Sequence, residues 1–286
     1  MIFLRQWGWA WLLIAFSFTA FYASGIDNGV SHDRLKYLSI GWGMYHSGNY
    51  FIPMVNGEMY TDKPPLIFWL IATFWHLFGV GIFSVTLMIS LVLVGWGMII
   101  RAMYATLFPN DLLGKNMIAV LLLGSCIIWK DPWFLRVDML LVLGVSLCNL
   151  GILQSMLSSS SIKALKNEYS FFYMALGTFI GLFSKGPIFY IFTLLPFCLT
   201  LMFNKENRFC AVKVLRAIFL GTFVMLISWV IPAIIFMGSE FAHQVLYQQI
   251  THRALHVDAS PIQKKPYLIY LYQYMPMLFF PWIINL

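Results

Sequence analysis

Hydrophobic positions along this chain fall into continuous blocks, not into strict alternation, and short polar segments separate the blocks. Eight runs approach membrane-spanning length: 7–24, 82–107, 116–130, 139–157, 171–184, 188–203, 215–237 and 267–286. Several fall below the roughly 20 residues a span needs, so their ends must borrow from flanking residues. A β-barrel would alternate apolar and polar positions. Continuous runs predict helices, each satisfying its own backbone within hydrocarbon. The expected fold is an all-α polytopic membrane protein with about eight transmembrane helices, forming a single membrane-embedded domain over residues 1–286.

One polar stretch is longer than the others, residues 25–80, with a second at 238–266. In the first, Leu35, Leu38, Trp42 and Tyr45 share a helical face with Asp33 and Lys36 off it, the pattern of a helix lying in the membrane interface. Gly48-Asn49 should stop that helix and Asn56-Gly57 should turn the chain. Lys63-Pro64-Pro65 should lead extended into the next helix, because the residue before a proline avoids the αR region.

Residues 65–79 are apolar all round yet reach only about 22 Å at 1.5 Å per residue, short of a core about 30 Å thick. If they do not cross, alternation puts Asp33 and Lys63 on the same side as Asp138 and Lys185. If they cross, the two groups separate. Lys and Arg divide nine against nine between the sides, so charge alone does not orient the chain. Placing Arg5 and the 158–169 connector inside makes the Asp33 side periplasmic.

Composition sharpens the class. Only 10% of residues are charged and 60% are hydrophobic, against roughly 25% charged in soluble domains. The net charge of +7 fits basic residues that flank spans and meet anionic lipid, so nucleic acid is not an expected partner. Cys126, Cys148, Cys198 and Cys210 stand singly and read as packing residues. Arg5 before an apolar stretch predicts a retained first helix rather than a cleaved leader. His252 and His256 have metal-ligand spacing but no third ligand, so no cofactor is required and a divalent metal is not expected.

Asp33-x-x-Lys36-Tyr37, Ser47-Gly48-Asn49-Tyr50, Asn56-Gly57-Glu58-x-Tyr60 and Lys63-Pro64-Pro65-Leu66 occur in that order in the first loop. Arg136-Val137-Asp138-Met139-Leu140, Ser184-Lys185-Gly186-Pro187, His252-Arg253 and Phe280-Pro281-Trp282 follow. This pattern resembles the lipid-carrier-dependent membrane glycosyltransferases of the C-type superfamily, in the branch of the bacterial lipid A aminoarabinose transferase, akin to protein O-mannosyltransferases. Two departures stand out. Asp33-Arg34 occupies a place where the family has Asp-Glu, and at 286 residues the chain is expected to lack the family's C-terminal spans and soluble part.

The resemblance implies sugar transfer from a polyprenyl-phosphate donor to an envelope glycolipid such as lipid A, with an active site facing the periplasm of the bacterial inner membrane. One carboxylate can accept the acceptor's proton in an inverting displacement, and fixed cations can stabilise the departing phosphate. Asp33 and Asp138 are the expected catalytic acids. Lys63, Lys185 and Arg253 are the expected phosphate clamp, and Tyr37, Glu58, Tyr60, Asp62 and His252 the expected substrate contacts. The blander alternatives are a helix-dipole role for Asp33, snorkelling for Lys63 and Lys185, and a local ion pair of Asp138 with Arg136. Rival functions are protein O-glycosylation, a partial or inactive family member, and a lipid transporter. A transporter would carry charges at mid-span and inverted repeats.

Overall fold

A computed structural model describes residues 32–123, 135–157, 168–203, 205–236 and 238. The expected spans 7–24 and 267–286, together with His252, Arg253 and the 239–266 loop, lie outside the described residues. The chain forms α1 (His32–Ser47), a hairpin of β1 (Met54–Val55) and β2 (Glu58–Met59), then α2 (Leu66–Phe78) and α3 (Ile82–Leu107). There follow α4 (Leu112–Leu123), α5 (Asp138–Met156), α6 (Glu168–Lys185) and α7 (Ile188–Phe203). A 3-10 turn, Lys205–Cys210, leads into α8 (Ala211–Met225), which runs on through a π turn, Leu226–Val230, to residue 236. The protein is a mostly helical, polytopic membrane protein. Among the described residues three helical stretches are long and apolar enough to cross a membrane, Ile82–Leu107, Asp138–Met156 and Arg208–Phe236.

Local sequence explains the loop. Asp33 sits in the first turn of α1, where the helix dipole favours an acid. Gly48 ends the helix at φ +70, its amide bonding the Met44 carbonyl at 3.0 Å. Asn56 and Gly57 both have positive φ, 52 and 85. That combination makes the two-residue turn pairing Val55 with Glu58, which Asn-Gly favours. α1 departs from the expectation in one respect. Arg34, Tyr37, Ile40, Gly41 and Met44 face the protein, while Leu35 and Trp42 are exposed. Of the stripe picked out by periodicity, Leu38 and Tyr45 pack partly on the core while Leu35 and Trp42 point outward.

α2 is 13 residues long, about 20 Å, and does not reach across a bilayer core. It starts after the buried pair Pro64-Pro65 and packs its Ile67, Phe68, Ile71 and Trp75 face on α1 and α3. α5 and α6 form the tightest pair. Cβ atoms added to Gly144 or Gly177 would fall 2.5 Å from backbone nitrogens of the facing helix. Glycines permit this approach, the usual means of packing helices where lipid removes the hydrophobic drive.

Candidate active site

The antiparallel α5–α6 pair brings the first residue of one helix beside the last of the other. Asp138 and Lys185 form an ion pair there, both about one-third exposed. Asp138 therefore bonds across helices to Lys185, a partner the local Arg136 reading did not anticipate.

The first loop closes on this pair. Tyr37 is buried and packs edge-on against Phe68, with ring centroids 5.5 Å apart. Its hydroxyl bonds to Tyr60, and Asp33, Asp138 and Asp62 all act on it electrostatically. Burial first, then the negative field of Asp33 and Asp138, pushes the phenol up to about 12, the Tyr60 bond opposing the shift. At working pH it is a neutral hydrogen-bond donor. Tyr37 and Tyr60 share one core cluster with Val137 and Leu140, so the first loop packs on the start of α5, beside the Asp138–Lys185 pair, the arrangement expected if residues 65–79 do not cross.

Lys36, outside the expected set, also belongs here. Its Nζ lies 3.9 Å from an Asp62 carboxylate oxygen and 4.3 Å from the Tyr60 ring centroid. The ordinary interplay of cation, carboxylate and aromatic face ties α1 to the segment after the hairpin. Asp33 is exposed one turn before Tyr37, and Lys63 is half-buried just before Pro64. Glu58 is exposed on β2, at the hairpin turn. Arg34, at the departure from Asp-Glu, is buried, and burial lowers its pKa from the ordinary arginine value.

Behind the loop, Trp69 and Trp229 each donate an indole N–H to a loop carbonyl, Tyr50 at 2.6 Å and Phe51 at 3.0 Å. Sequence gives Trp69 only a preference for the membrane interface, and Trp229 no specific role. Among the described residues no group of three or more His, Cys, Asp or Glu is placed to hold a metal ion. The arrangement offers carboxylates, ammonium groups and neutral hydroxyls at one rim, the elements needed to hold an anionic leaving group and take up a proton.

A solved ArnT from Cupriavidus metallidurans bound to undecaprenyl phosphate superposes with a TM-score of 0.61 at 18% identity, over 86% of this chain and 45% of that one. The apo form of the same enzyme gives 0.64 at 21% identity, over 84% and 44%. The chain has the ArnT fold. It is also 37% identical over 76 residues to the undecaprenyl phosphate-alpha-4-amino-4-deoxy-L-arabinose arabinosyl transferase of Pseudomonas savastanoi pv. phaseolicola. That match takes in 27% of this chain and 14% of the relative. The resemblance read from the loop motifs is therefore found again in both sequence and structure. The chain spans less than half the length of the ArnT chains it superposes on. No protein-family model matches it.

Proposed function

We propose that this chain transfers a sugar from a polyprenyl-phosphate donor to an envelope glycolipid of the lipid A kind, on the periplasmic side of the bacterial inner membrane. The observation that carries the reading is the packing of Tyr37 and Tyr60, from the first loop, against the start of α5 beside the Asp138–Lys185 pair. The fold shared with a transferase solved with undecaprenyl phosphate supports the class of donor.

In this reading the acceptor hydroxyl attacks the anomeric carbon from the face opposite the phosphate. The carbon–oxygen bond to the acceptor forms, the bond to phosphate breaks, and polyprenyl phosphate departs with the bonding electrons. Asp33 takes the acceptor's proton, and configuration at the anomeric carbon inverts. Lys63, Lys185 and Arg253 hold the phosphate, the lysines as point charges and the arginine as a fork. Asp138 keeps the Lys185 ammonium aimed until the phosphate competes for it. Tyr37 donates from its neutral hydroxyl to the sugar, with Tyr60, Glu58, Asp62 and His252 as further polar contacts. No step calls for a metal.

The test is transfer by purified protein from a polyprenyl-phosphate sugar to lipid A. Asp33→Asn should abolish transfer while leaving membrane insertion intact; transfer that persists removes Asp33 from the role.

A further inference from the structure

The loop that carries Lys63 hangs from two different helices. Trp69 of α2 and Trp229 beyond α8 bond adjacent carbonyls, those of Tyr50 and Phe51. Two residues on, the Pro53 carbonyl accepts the Tyr60 amide at 2.8 Å, closing the hairpin that ends at Tyr60. Phe183 joins the two indoles, with ring centroids 5.2 Å from Trp69 and 6.1 Å from Trp229. Phe183 lies two residues before Lys185, so the assembly is continuous with the ion pair.

Trp229 reaches this position through a change of helical register. Along α8 the buried positions Val214, Ala217, Ile218 and Gly221 follow α-helical spacing. The same heptads continue to Ser228 and Pro232. Instead Ser228 is exposed, and Trp229 and Ala233 are buried. The π turn at Leu226–Val230, closed by the Ile231 amide on the Leu226 carbonyl, supplies the extra residue. Its cause is local: Pro232 has no N–H to give and its ring crowds the carbonyl of Ser228, so a wider turn accommodates both. Single π turns of this kind concentrate at functional sites.

We infer that Trp229 is a positioning residue. The π turn sets its indole on the Phe51 carbonyl, and with Trp69 it holds the loop so that Tyr60 meets Tyr37 and Asp62 meets Lys36, with Lys63 next in the chain. The effect on transfer rests on the proposed function, whereas the clamp itself does not.

Trp229→Phe keeps an aromatic ring against Phe183 and removes the donor together with part of the indole's volume, which is why exchange is read at the loop and transfer is counted per carrier site. Amide exchange over residues 52–60 should speed up by about tenfold, the loss of one hydrogen bond. The transfer rate, counted per undecaprenyl-phosphate binding site so that unfolded protein does not contribute, should fall by about tenfold or more because the clamp lysine is misplaced. Phe219→Leu, on the exposed face of the same helix, should change neither. Unchanged exchange in Trp229→Phe overturns the clamp, and so does a wild-type loop that exchanges at the rate of a free peptide. Faster exchange with an unchanged rate per site overturns the positioning role. Wild-type protein that binds the carrier without transferring overturns the proposed function, and the positioning role with it, while the exchange result still decides the clamp.

Discussion

Gly144→Ala isolates the contact that brings the two ends of the site together. The added Cβ would lie 2.5 Å from the Gly181 nitrogen and 2.7 Å from the Gly177 oxygen, against 3.4 Å for ordinary contact. The difference, 3.4 minus 2.5, requires α5 and α6 to part by about 0.9 Å locally. Backbone atoms cannot rotate away as a side chain can, so the cost falls toward the upper end of the roughly 1–3 kcal/mol seen for overpacking. Gly144 lies under two turns from Asp138, and Gly181 one turn before Lys185, so the separation also strains the ion pair. Thermal unfolding in detergent should shift down by about 5 °C, and binding of undecaprenyl phosphate should weaken in step. Gly43→Ala is the matched control. No atom lies within 4 Å of its added Cβ, and the helix interior should gain roughly 0.5–1 kcal/mol. If Gly144→Ala melts and binds as wild type does, or Gly43→Ala is equally costly, the glycine contact does not set the site.

The ion pair makes a prediction of opposite signs. Lys185→Met should weaken carrier binding by about tenfold or more, the loss of a charge-assisted hydrogen bond, with little change in melting because the pair is partly exposed. Asp138→Asn should bind the carrier no more weakly than wild type, since it releases Lys185, while transfer slows; calorimetry on the two variants separates the signs. Tyr37 should not ionise until about pH 12, which the difference in tyrosinate absorbance between wild type and Tyr37→Phe would reveal. Since its folded pKa is raised, its contribution to stability is complete below the unfolded value of about 10 and is lost as pH rises toward 12. A Tyr37 signal that appears at pH 10 would contradict the buried, carboxylate-ringed position.

Much of the fold was legible because membrane helices announce themselves by length and apolar continuity. The expected runs 82–107 and 188–203 coincide with α3 and α7 to the residue. Gly48 and Asn56-Gly57 act where they were expected to, since a positive φ leaves few residue choices. The shortness of residues 65–79 is matched by α2, whose 13 residues do not reach across a bilayer core. Other features had no hydropathic signature. Gly144, Gly177 and Gly181 matter through the absence of a side chain, which periodicity does not register. α1 carries apolar residues around much of its circumference, so its pattern does not say which of them meet protein. The π turn moves the buried stripe of α8 by one residue, and only Pro232 hints at it. Lys36 was visible within the motif, but its partners Asp62 and Tyr60 become neighbours only once the hairpin has folded.

The most direct measurement is binding and transfer by the purified wild-type protein with a polyprenyl-phosphate sugar, set against Lys63→Ala and Asp33→Asn. The account predicts that Lys63→Ala loses carrier binding and transfer together, whereas Asp33→Asn binds the carrier and does not turn over. Wild-type protein that fails to bind the carrier, or binding that is indifferent to Lys63, would contradict a carrier-dependent transferase.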